Sequence, residues 1–273
     1  FAVCVAAGFA VYLMTKSGLP VSTTQAIVGA IVGWNIYTDS TTNIQVLITI
    51  IITWVICPII AGLIAMFFFI LTKKLLQTTS LHLLRLDAYT RTALLLAGAF
   101  GAYSLGANNI ANVMGVFVPI SPFTEINFMN ILTLSSTGQL FLLGGIAIAV
   151  GVITYSKRVM LTVGNDLLKL SPVAAFIVVI SHSIVLFLFA SQGISNFLHS
   201  INLPSIPLVP VSSSQAIVGA VIGIGLLKGG KEVKWDIASK IAVGWVVLPI
   251  IAALISFVIL FVLQNIFNQT VYF

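Results

Sequence analysis

Apolar residues run almost unbroken over 44–72, 92–118, 131–155, 173–190 and 236–263, and a shorter run fills 1–14. A hydrocarbon core about 30 Å thick takes about 20 helical residues to cross, so each long run predicts a spanning helix. Into this pattern one polar punctuation is written twice. PVSTTQAIVGAIVG at 20–33 returns as PVSSSQAIVGAVIG at 210–223. Segments of about 14 residues are too short to cross, and they predict re-entrant half-helices or hairpin arms.

The repeat continues past the motif. ITWVICPIIAGLIA at 52–65 aligns with VGWVVLPIIAALIS at 243–256, which sets Trp54, Pro58 and Ile59 over Trp245, Pro249 and Ile250. Lys and Arg then orient the chain, because they collect in cytoplasmic connections. Lys73, Lys74, Arg85 and Arg91 mark 73–91; Lys157, Arg158 and Lys169 mark 156–170; Lys228, Lys231 and Lys234 mark 228–235. The connections 35–43 and 119–130 hold no Lys or Arg and are expected outside. The helix after the first motif therefore runs inward and the helix after the second runs outward. The repeats are inverted, the pattern of secondary transporters with a site near the midplane.

Composition narrows the class. With 59% hydrophobic and 7% charged residues the chain is an integral membrane protein, since soluble domains carry about 25% charged residues. Its net charge of +6 is then a topology signal and points to no nucleic-acid partner. Cys4 and Cys57 lie in apolar surroundings without metal or disulfide spacing and read as small buried hydrophobes. No nucleophile with base and orienter, no HExxH and no paired carboxylates occur, so an enzyme is not expected. A channel would also use polar broken helices; saturation and a cation-gradient requirement separate the two.

Ser22 stands three residues before Gln25 and Ser212 three before Gln215, so both motifs read as capping boxes. Taken singly, each motif needs no role beyond capping, with Thr23, Thr24, Ser213 and Ser214 bonding back or packing. Beginning a helix inside hydrocarbon twice is different, because each start exposes up to four NH groups. Such ends suit an anion rich in acceptor oxygens, phosphate or sulfate above all. Gly29 with Gly33 and Gly219 with Gly223 form small-residue faces for close helix packing. A third polar interruption, SLGANNIANVMG at 104–115, brings Asn108, Asn109 and Asn112 together. It predicts an unwound wall whose amide oxygens meet a cation while its NH2 groups meet the substrate. His182, between Ser181 and Ser183, reads as a hydrogen-bonded packing residue, with a proton relay as the lesser alternative.

GANNIAN at 106–112, with the two PVS motifs in order, resembles the inorganic phosphate transporter (PiT) family over essentially the whole chain. The family's signatures are GANDVAN and a Pro-Val-Ser motif followed by two hydroxyl residues, His or Gln, and Ala. The resemblance implies an all-α polytopic membrane protein: an inverted-repeat secondary transporter with re-entrant helical hairpins and broken helices. It implies a symporter of inorganic phosphate in the plasma membrane, without a cofactor, coupled to sodium or, in some members, to protons. Carried over, the phosphate contacts are Ser22, Thr23, Thr24 and Gln25; Asn108, Asn109 and Asn112; and Ser212, Ser213, Ser214 and Gln215. Sodium would draw on Asn108, Asn109, Gln25 and Gln215. A permease for sulfate or another tetrahedral oxyanion is the nearest alternative, and a homodimer is one assembly the reading allows.

Two departures qualify the match. Asn109 replaces the family's Asp, and no carboxylate lies inside an apolar run, which leaves the coupling ion open. Phe1 aligns with Phe176 and Gly18 with Gly193, so a first-repeat partner of GANNIAN is expected ahead of Phe1. On this reading 1–72 is the C-terminal part of the first repeat, 73–91 a cytoplasmic connection and 92–273 the second repeat. The chain is expected to be the C-terminal portion of a longer transporter.

Overall fold

A computed structural model describes residues 1–79, 82–128 and 132–271. The connections 73–91 and 119–130 and the start of the run at 131 thus fall partly outside the described residues. Each apolar run forms a helix: α1 (Ala2–Lys16), α3 (Ile44–Thr78), α4 (Leu83–Met114), α5 (Ser136–Leu161), α6 (Pro172–Ala190) and α9 (Trp235–Asn265). Among the described residues four helical stretches are long and apolar enough to cross a membrane: Ile44–Thr78, Ser136–Lys157, Pro172–Ala190 and Trp235–Asn265. The chain is a multi-pass membrane protein. Leu63, Phe67, Ile153, Val246 and Leu254 are exposed on these helices, as a lipid-facing surface requires.

The two PVS motifs start the short helices α2 (Thr23–Thr38) and α8 (Ser213–Leu227), of 16 and 15 residues. At 1.5 Å per residue they reach about 24 and 22 Å, short of a full crossing. Sequence did not anticipate four smaller elements. These are a 3-10 turn at Gly115–Ile120, an antiparallel hairpin of β1 (Ile126–Phe128) and β2 (Leu132–Leu134), a π-helical segment at Thr162–Leu167, and α7 (Gln192–Ser200).

The short helices pack crosswise. α2 lies along α9, and α8 lies along α3. A Cβ placed on Gly29 would stand 2.6 Å from Cα of Pro249, and one on Gly219 the same 2.6 Å from Cα of Pro58. Gly33 abuts Ala253 and Gly223 abuts Gly62 in the same way. Each half of the chain therefore seats its short helix on the proline-bearing long helix of the other half. Two cores follow from this exchange. Ala26 and Ala30 of α2 bury with Ala6 and Ala10 of α1 and Leu248 of α9. Val218, Val221 and Ile224 of α8 bury with Ile177 and Val185 of α6 and Cys57 and Ala61 of α3.

Contacts between connections agree with the charge-based orientation. Lys234 N donates to Leu167 O at 3.1 Å, joining the two Lys-bearing connections 156–170 and 228–235 on one face. Tyr37, at the end of α2, donates its hydroxyl to Gln264 at the end of α9, where both are expected outside.

Candidate functional site

Both short helices begin as their sequences predict. Ser22 Oγ accepts from Gln25 N at 3.3 Å, and Ser212 Oγ accepts from Gln215 N at 3.2 Å. The returning half of the capping box is missing in both. Among the described residues, Oε1 of Gln25 and Oε1 of Gln215 are buried without a hydrogen-bond partner. The glutamines do not close on their own backbone; each leaves a bare acceptor inside the protein. A buried carbonyl oxygen without a partner costs about 1–3 kcal/mol, so two at equivalent repeat positions are a costly pair to keep without a ligand.

The asparagines correct the expected unwound wall. α4 remains helical through Met114, and the change of backbone comes only at Gly115, where the chain tightens into the 3-10 turn. Tertiary partners make the helix tenable. Asn108 Oδ1 accepts from Val211 N at 3.1 Å, so an α4 side chain answers an NH of the second motif. Asn112 Nδ2 donates to Thr24 Oγ1 at 2.8 Å and to Asn109 Oδ1 at 2.9 Å. Thr24 Oγ1 lies 3.2 Å from Val211 O and 3.4 Å from Asn109 Oδ1. Thr24, expected as a phosphate contact, thus ties the first motif to the second and to α4. Asn108, Asn109 and Asn112 are all buried.

Thr23 and Ser213, the fourth residues of their motifs, open into one cavity of about 740 Å³. Asn109, Gly106 and Ala107 of α4 line it, with Phe141 and Gly145 of α5 opposite. Neither hydroxyl has a hydrogen-bond partner among the described residues, so both are free for a ligand. Ser214 pairs instead with Ser212, their Oγ atoms 3.1 Å apart. Of the predicted site residues, Thr23, Ser213 and Asn109 face the cavity directly. Ser22, Thr24, Gln25, Asn108, Asn112, Ser212 and Gln215 stand buried behind them. Sequence reading overlooked the NH of Val211 and the α5 wall, because neither carries a polar side chain.

The cavity therefore borders the N-terminal ends of two helices. Each such end carries about half a positive elementary charge, so the pair supplies about one without any Lys or Arg. No cluster of His, Cys, Asp and Glu that could hold a metal occurs among the described residues.

The phosphate transporter family matches residues 1–196 and 203–272. The chain belongs to this family. Among relatives, a protein of Methanocaldococcus jannaschii named as a candidate phosphate permease is 29% identical over 248 residues, 90% of this chain and 70% of that protein. A sodium-dependent phosphate transporter of Xenopus laevis is 27% identical over 163 residues, 59% of this chain and 21% of that protein. A solved structure titled as the sodium-dependent phosphate transporter superposes with a TM-score of 0.72 at 23% identity, over 97% of this chain and 79% of the other. That likeness shows the fold. Members of the phosphate transporter family move a solute, in keeping with a site built of hydroxyls, amides and helix ends.

Proposed function

We propose that this protein is a symporter that carries inorganic phosphate into the cell across the plasma membrane together with sodium. The observation that carries the reading is the convergence of Thr23 and Ser213, each at the start of its half-helix, on one cavity walled by Asn109. A tetrahedral oxyanion there would accept from both hydroxyls and sit between two positive helix ends. Gln25 Oε1 and Gln215 Oε1 are the acceptors left over, and they suit sodium, which needs oxygen donors. Asn108 and Asn109, expected to share in sodium binding, already use their oxygens on Val211 and on Thr24 and Asn112. The glutamine pair is accordingly the stronger assignment. The names of the Xenopus relative and of the superposed structure support sodium over protons.

Uptake of labelled phosphate into liposomes bearing the protein tests this, with sodium, proton and sulfate varied separately. Saturable uptake that needs an inward sodium gradient and resists excess sulfate is expected. Uptake driven by a proton gradient alone would transfer the coupling to protons. Equal competition by sulfate would widen the substrate to oxyanions generally, and non-saturating flux without a gradient would make the protein a channel.

A further inference from the structure

Each motif opens on a proline, Pro20 in the first and Pro210 in the second, ahead of the serine that caps its half-helix. The carbonyl of Pro20 is held: Trp245 of α9 donates its indole NH to it at 3.1 Å. The repeat sets Trp54 of α3 over Trp245 and Pro210 over Pro20, so the same bond is written a second time in the sequence. In the structure it is not made. Among the described residues, Nε1 of Trp54 is buried without a partner and the carbonyl of Pro210 accepts no hydrogen bond. α3 nevertheless runs beside the second motif, because Cys57, one turn on from Trp54, has its Sγ 3.8 Å from Ser212 O. Donor and acceptor of the second bond thus stand on adjoining elements, and both are unused.

The inequality extends along the motifs. Pro20 is buried and Pro210 half-buried. Thr24 is buried and reaches across to Val211 O, whereas its counterpart Ser214 is half-buried and turns to Ser212 of its own motif. The first motif is therefore clamped and deeply seated, while the second is neither. A buried indole NH without an acceptor has given up water for nothing, and native proteins keep few such groups. Inverted repeats supply a reason to keep this one. They are related by a two-fold axis in the membrane plane, so exchanging the conformations of the two repeats turns the arrangement over and moves its opening to the other face. That exchange makes the Trp54–Pro210 bond and breaks the Trp245–Pro20 bond.

We propose that Trp245 and Trp54 are positioning residues for transport, each clamping the head of one half-helix in one of two access states, so that one bond forms as the other is released. The inference rests on the reading that Thr23 and Ser213 contact a transported oxyanion. Neither tryptophan lines their cavity; each acts on the proline three residues ahead of one of these hydroxyls and so sets where that hydroxyl stands. Because each bond belongs to one state only, losing it shifts the population toward the other state.

The indole NH resonances of the purified, isotope-labelled protein in micelles test the exchange directly. In Trp245→Phe the indole proton of Trp54 is expected to move downfield as it gains the Pro210 carbonyl, and an unmoved proton would overturn the proposal. Uptake into liposomes gives the second readout. Trp54→Phe removes no side-chain hydrogen bond among the described residues, so it is expected to melt no lower than the parent and yet to slow phosphate uptake several-fold. Trp245→Phe is expected to slow uptake as well, and the double variant to recover several-fold over the slower single one, since neither state is then favoured. Trp54→Phe decides alone where Trp245→Phe does not fold. Normal uptake by Trp54→Phe, or losses that simply multiply in the double variant, would overturn the clamps and leave phosphate transport standing. Movement of the Trp54 proton in a protein that takes up no phosphate would overturn the transport reading and leave the exchange of bonds standing.

Discussion

Gln25 and Gln215 show how a motif residue can be separated from the fold it helps to start. The backbone NH of each glutamine caps on a serine, while its side-chain oxygen is buried and unpartnered. Removing the side chain deletes no side-chain hydrogen bond among the described residues. Gln25→Ala and Gln215→Ala are therefore expected to insert and melt like the parent. If each oxygen meets a cation or polar ligand, they should lose about 1.5–3 kcal/mol of binding, tenfold or more in apparent affinity. Uptake kinetics beside thermal melts in detergent check both halves, and unchanged affinity in both variants would reduce the glutamines to packing. Ser22→Ala and Ser212→Ala should show the other signature. Loss of an N-cap oxygen costs about 1 kcal/mol, so these variants should melt lower as well as transport poorly. Thr24→Val keeps the shape but strands one N–H of Asn112 and Val211 O, a loss of about 1–3 kcal/mol that a melt would register. The involvement of these residues was legible because polar side chains in hydrocarbon need a reason. Their partners were not, since Thr24 meets Val211 across 187 positions of sequence and no local pattern encodes that pairing.

Helices were the most legible level, because four of the five expected spans and the two half-helices follow from apolar run length, whereas α4, which carries the run 92–118, is not among the described stretches long and apolar enough to cross. The failure at 104–115 has a physical cause. Asparagine is a poor helix former in isolation, but α4 gives Asn108 and Asn112 partners on other elements, and satisfied amides remove the reason to unwind. The glycines give a sharper test at this scale. Gly29→Ala and Gly219→Ala each drive a methyl into the backbone of a proline on the facing long helix. Overpacking of this kind costs about 1–3 kcal/mol, and the crosswise exchange makes the two losses similar. Gly98 on α4 has open space where its Cβ would stand, so Gly98→Ala should instead stabilise by about 0.5–1 kcal/mol through helix propensity. Thermal melts of the three variants would show two losses and one gain. A gain at all three would mean that α2 on α9 and α8 on α3 are not in close contact. The tryptophans mark where the exchange is unequal. Trp245 Nε1 donates to Pro20 O at 3.1 Å, whereas its repeat equivalent Trp54 has a buried Nε1 with no partner among the described residues.

At the scale of the whole molecule, the connection between α2 and α3 and that between α8 and α9 occupy equivalent places in the two repeats. If the repeats shared one orientation, both connections would lie on the same side of the membrane. If they are inverted, the two face opposite sides, which is what the absence of Lys and Arg at 35–43 and the three lysines of 228–235 require. The contacts agree: Lys234 joins the other Lys-bearing connection, and Tyr37 joins the far end of α9. Thr41 and Gly229 are exposed in these connections and suit labelling. Cys4 and Cys57 are free thiols, so they must first be replaced, with alanine at the fully buried Cys57. Thr41→Cys is then expected to react with a membrane-impermeant maleimide added to intact cells, and Gly229→Cys only after the cells are opened. Labelling of both from the same side would remove the inversion. The crosswise seating of α2 on α9 and α8 on α3 would then need another explanation, since a two-fold axis in the membrane plane is what makes those two pairings equivalent.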